Sequence, residues 1–152
     1  MSAEAATLES TELGRRLRAV PAPRPVLDRD REARLTGRQR EVLDQLGTLF
    51  DDGFADLTMA DIAANVGCSL RTLYDLAPSR DELVLTVIDR NLRRIGRRAI
   101  SAIQPDLDPL AVIRSYLMAA NLAVAATTPA FARDQAATPA THRLATAHSD
   151  YL

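Results

Sequence analysis

The most restrictive feature of the chain is a pair of very short apolar periods, residues 59–66 and 70–76, hinged on Gly67. Met59, Ile62, Ala63 and Val66 recur at three and four residues, and Leu70, Leu73 and Leu76 repeat every three after the glycine. Such spacing gathers each set on one side of a helix. Helices this short fall below the ~12–15 residues that persist alone in water, so each must pack on its neighbour. Ala63 is small enough for a close crossing. Gly67 takes positive φ without steric cost, and Leu73 faces back towards the first helix. Ile62, Val66 and Leu76 complete a small core, and the spacing predicts a helix-turn-helix over 58–76.

The flanking sequence reads as helix too. Val42, Leu43, Leu46, Leu49 and Phe50 form one apolar stripe from about Arg38 to Asp52, with Thr36 as cap and Gly53 as terminator. Thr58 caps the next helix, and Asp61 suits its positive start. Ser79 and Glu82 make a capping box that opens a long helix ending near Gln104-Pro105. Asp108-Pro109 opens a further helix to about Ala126, apolar nearly all round and so expected to be buried by others. Short helices are expected over 131–136 and from Pro139 onward. No alternating strand pattern and no repeat is visible. The expected fold is all-α: a disordered arm over 1–35, a three-helix domain over 36–98 joined by the long helix, and a partial helical domain over 99–152. Pro21, Pro23 and Pro25 block helix within the arm, and removing residues 1–30 is expected to leave the fold intact and to lower DNA affinity modestly.

The outward residues of the helix-turn-helix carry the chemistry. With Leu70, Leu73 and Leu76 partly or wholly inward, the start of the second helix offers Ser69, Arg71 and Thr72, the part that meets base edges when such a helix enters a major groove. Arg71 suits guanine, and Thr72 a thymine methyl or a phosphate. Tyr74 has a hydroxyl for a phosphate oxygen, and Thr58 and Arg80 stand beside helix starts. The plainer reading of Thr58 and Ser79 is as caps. All 19 basic residues are arginine, which suits phosphate contacts, although a GC-rich genome gives the same bias.

Other classes find little support. The net charge of −1 does not by itself point to nucleic acid. Aromatic residues are 4% of the chain and Trp is absent, so the core must be mainly aliphatic. Cys68 is the only cysteine, so no intrachain disulfide forms, and it reads as a small buried hydrophobe. His142 and His148 lie six apart, not at the spacing of two ligands on one helical face. Neither a Gly-rich phosphate loop nor a catalytic constellation is present, so no enzyme, metal or cofactor is expected. The absence of a signal pattern and of a ~20-residue apolar span makes a soluble cytoplasmic protein the default.

From Arg38 to about Gly96 the sequence resembles the N-terminal domain of the tetracycline-repressor (TetR) family. The carrying residues run in order through Phe50-Asp51-Asp52-Gly53-Phe54, Leu57-Thr58, Asp61-Ile62-Ala63, Val66-Gly67-Cys68-Ser69, Thr72-Leu73-Tyr74 and Pro78-Ser79-Arg80-Asp81-Glu82-Leu83. The resemblance implies a homodimeric transcription regulator whose paired recognition helices read a palindromic operator in double-stranded DNA. It implies a repressor released by a small molecule in the C-terminal helices. Its DNA contacts would be Thr58, Ser69, Leu70, Arg71, Thr72, Tyr74 and Arg80. A ligand, expected to be apolar, would sit near Leu92, Ile95, Tyr116, Met118, Leu122 and Phe131. Two positions depart from the pattern: Ala77 replaces an aromatic, and Asp75 puts a carboxylate near the phosphates. The family's last helices, which pair the two subunits, are not evident. An alternative is therefore a shortened regulator that acts by pairing with another protein and does not bind DNA alone.

Overall fold

The computed structural model describes residues 12–19, 23–103 and 108–151. They are helical with no strand among the described residues, so the all-α expectation holds. The helices are α1 (Glu12–Ala19), α2 (Arg29–Arg34), α3 (Gly37–Asp51), α4 (Met59–Asn65), α5 (Leu70–Leu76), α6 (Arg80–Ser101), α7 (Pro109–Ala125), α8 (Pro129–Ala137) and α9 (Pro139–Tyr151).

Local chemistry sets the helix starts. Thr36 and Gln39 form a reciprocal capping box on α3, and Thr58 and Asp61 form one on α4. Ser79 Oγ accepts the Glu82 N–H at 3.2 Å, the first half of the expected box. Asp108 Oδ1 accepts the Leu110 and Ala111 N–H groups, so α7 opens as the Asp-Pro pair predicts. Thr128 caps α8 ahead of Pro129. Gly53 and Gly67 are the two glycines that need positive φ, at 103° and 61°, and they end α3 and α4.

The core lies between α3, α4, α5 and the first half of α6. Val42, Leu46, Phe50, Ile62, Leu73 and Leu83 are fully buried in it. α6 packs on α3, α7 and α9, and α8 reaches back to α3. Phe131 of α8 enters the same core, edge-on to Phe54 with ring centroids 5.7 Å apart. The C-terminal helices are thus fastened to the core of α3, α4 and α5 by α8 as well as by α6.

Two expectations are corrected. The disordered arm does not extend over residues 23–35, which form a strap ending in α2. Leu27 is buried, Asp89 accepts the Val26 N–H at 3.1 Å, and Arg93 donates to the Pro23 carbonyl at 2.7 Å. Arg31 donates to the Leu76 carbonyl at the end of α5, and Arg90 pairs with Glu32. The mixed charges of this stretch are structural partners, and one leucine in the right place gives it a core contact. Of the rest of the expected arm, residues 12–19 are helical as α1, and the others lie outside the described residues. The second correction concerns α7. It packs on α6 by one side and leaves Leu110, Ile113, Leu117, Met118 and Leu122 exposed. Its apolar circumference is only partly covered. No helix among the described residues is long and apolar enough to cross a membrane.

Candidate nucleic-acid interface

The turn between α4 and α5 is closed by short-range bonds. Cys68 N–H donates to the Ala63 carbonyl at 3.0 Å, so the chain reverses over the small residue at the crossing. Arg38 of α3 donates to the Gly67 carbonyl at 3.1 Å and holds the turn from below. Cys68 is half-buried beside this core, and burial pushes its thiol above the ordinary value while Arg38 works the other way. A thiol held in its neutral form is a packing group, not a nucleophile.

α5 divides into two faces. Leu73 and Leu76 are 0% and 1% exposed, whereas Leu70 and Tyr74 are 45% and 52% exposed. Ser69 and Arg71 are exposed beside them, and Thr72 is half-buried. Ser69 Oγ accepts the Thr72 N–H at 3.1 Å and lies 2.9 Å from Thr72 Oγ1, which locks the first turn of the helix. Arg71 makes no hydrogen bond or ion pair among the described residues. The structure therefore leaves Ser69, Leu70, Arg71 and Tyr74 exposed at and along α5, with Thr72 half-buried among them. Thr58 lies at the start of α4, where its hydroxyl and N–H are both engaged by Asp61; these bonds, the side-chain one foremost, hold the Asp61 carboxyl below its usual value.

Arg80 is placed differently. Its guanidinium donates to the carbonyls of Phe54, Ala55 and Leu57 and also pairs with Asp81. Its donors are directed into the protein at the loop that leads into α4. The same loop is gripped from the other side by Asp134 of α8. Asp134 Oδ2 accepts the Phe54 N–H at 2.7 Å and the Ala55 N–H at 2.9 Å. The Ala55 bond foremost, with the Phe54 bond and Arg133, holds its carboxyl below the usual range against the opposing effect of burial. Residues 54–57 are thus clamped between a cation that takes their carbonyls and an anion that takes their N–H groups. Asp134 was not among the residues singled out from the sequence. A lone acid in a short helix gives no signal of a partner some 80 residues away.

The six residues expected to line a ligand pocket are not gathered into one. Phe131 is in the core, Met118 and Leu122 are 59% and 71% exposed on α7, and Leu92, Ile95 and Tyr116 are half-buried. A cavity of about 470 Å³ lies elsewhere, between the strap, α3 and α6, and none of the six lines it. His148, which spacing excludes from a metal pair with His142, is buried against an acid far away in the chain. His148 of α9 has its Nε2 3.2 Å from Asp89 Oδ1 in α6. Burial lowers its pKa most, with Arg93 acting in the same direction and Asp89 opposing. No group of three or more metal-ligating side chains is found among the described residues.

The chain matches no protein-family model, no curated protein and no solved structure.

Proposed function

We propose that the chain is a sequence-specific DNA-binding transcription regulator of the tetracycline-repressor type, a homodimer that represses until a small molecule releases it. The observation that carries the reading is the surface of α5. A seven-residue helix bonded to its own core by Leu73 and Leu76 presents Ser69, Leu70, Arg71 and Tyr74 to solvent. Those exposed groups include a cation without a partner among the described residues, a hydroxyl, an aliphatic side chain and a phenol, the set that reads base edges and phosphates. In this reading Arg71 contacts guanine, and Ser69, Thr72 and Tyr74 contact phosphate or a thymine methyl. Arg80 and Thr58 position the start of α4. Paired recognition helices must match half-sites about 34–36 Å apart, and α6 joins each one to the C-terminal helices.

The apolar stripe of α7 supports pairing of chains, because an exposed patch of that kind marks an interaction face. It equally favours the second reading, in which the chain pairs with another protein and does not bind DNA alone. Selection of duplexes from a randomised library, followed by anisotropy titration of the enriched sequence at two salt concentrations, separates the two. Phosphate contacts impose a salt slope on affinity. Enrichment of a palindrome with salt-dependent affinity supports the first reading, and absence of both overturns it.

A further inference from the structure

We propose that the cleft between the N-terminal strap, α3 and α6 is a binding site for a small amphipathic carboxylate. The cavity of about 470 Å³ falls within the range of ligand pockets. Its apolar lining comes from three different elements: Leu27 of the strap, Leu43 of α3 and Val87 of α6, all buried. Gly47 lies on the same wall, and a Cβ added there would meet nothing within 4 Å. The helix therefore leaves open space where any other residue would project a side chain.

The cleft also carries an excess of cations. Arg29, Arg90, Arg93, Arg94 and Arg97 line it together with Glu32, Asp44 and Asp89. The three acids are already engaged. Arg90 pairs with Glu32 and lies 3.4 Å from Asp44, and Asp89 takes Arg93 at 2.9 Å and the Val26 N–H. Arg94 bonds only to the neutral Asn91 amide, and Arg29 and Arg97 make no ion pair among the described residues. Three guanidiniums with no acid partner beside an apolar wall call for a ligand with an anionic head and an apolar body. A carboxylate fits the bidentate geometry of arginine. Because the strap supplies one wall, occupancy would tie residues 25–33 to α3 and α6. The inference is independent of the DNA reading, since binding is measured without DNA.

The test is calorimetric titration of the full chain with decanoate, with decanol and sulfate as controls. Saturable one-to-one binding of decanoate, with decanol and sulfate each at least about tenfold weaker, is expected. Arg94→Gln with Arg97→Gln should weaken decanoate about tenfold or more, as the loss of a charge-assisted contact does. Gly47→Leu should fill the cleft and abolish binding without lowering Tm, because glycine in a helix interior is the weaker helix former. The two surface arginine substitutions provide the same test if the leucine variant does not fold. Decanoate bound equally well by Gly47→Leu, or by the arginine double variant, would overturn the proposal. So would decanol bound as tightly as decanoate, or no decanoate binding at all.

Discussion

Replacing Asp134 removes one jaw of the clamp on residues 54–57, and its cost can be worked from the two bonds it accepts. Each is a charge-assisted N–H···O⁻ bond, at 2.7 and 2.9 Å, of the kind worth about 1.5–3 kcal/mol. In Asp134→Ala the Phe54 N–H, in a buried residue, is left unsatisfied, whereas Ala55 is exposed and its N–H can turn to water. The pair of bonds is therefore not lost in full, and the expected cost is about 2–4 kcal/mol. For a chain of this size that is a drop of roughly 5–15 °C in Tm. Asp134→Asn keeps an oxygen for the N–H groups and loses only the charge, so it should cost about half as much.

The pH dependence gives the sharper assay. The folded pKa of Asp134 lies below its unfolded value, which is about 3.9. Stability from this group is therefore complete above that unfolded value and is lost as pH falls through the lower folded one. Urea unfolding of wild type and Asp134→Asn at about pH 7 and about pH 3 should show a gap that narrows towards acid. A gap of the same size at both values, or an alanine variant as stable as wild type, would refute the argument.

Further outcomes follow from the other buried contacts. Deleting residues 1–30 removes the burial of Leu27 and the Val26–Asp89 bond and should destabilise by about 2–4 kcal/mol; an unchanged Tm would show that the strap contributes nothing. Arg80→Gln should lower Tm by loosening three carbonyl contacts, yet leave the salt slope of DNA binding unchanged, whereas a direct phosphate contact would reduce that slope by about 1. His148 has a folded pKa below its unfolded one, so its contribution is complete above about pH 6.5 and is lost as pH falls through the lower folded value. Unfolding curves between about pH 7.5 and 5 should show this loss in wild type and not in His148→Gln.

Much of this architecture is written in local sequence, because caps and turns act over three or four residues. Thr36, Thr58, Ser79 and Asp108 each cap the helix their position suggests, and Gly53 and Gly67 take positive φ where a helix must end. Periodicity also puts Leu73 and Leu76 inward and Arg71 and Tyr74 outward, but it groups Leu70 with the inner leucines, whereas Leu70 is 45% exposed in the first turn of α5. What periodicity does not carry is the partner of a polar group far away in the chain. The strap looked like a mixed-charge tail because Asp89, Arg90 and Arg93 supply its bonds from some 60 to 70 residues further on. Arg80 looked like a phosphate ligand because the carbonyls it serves have no side-chain signature. The expected ligand pocket failed for a related reason: Met118 and Phe131 are both apolar, but one lies on an open helix face and the other in the core.

We propose that the exposed face of α5 reads duplex DNA. The most direct measurement is anisotropy titration of wild type and Arg71→Ala against a library-enriched duplex, at about 50 and 200 mM salt. Tight binding that weakens with salt is expected, with a loss of about 1–3 kcal/mol in the variant and relaxed preference at one base pair. Affinity of Arg71→Ala equal to wild type, or no salt-dependent binding by the wild-type chain, would contradict it.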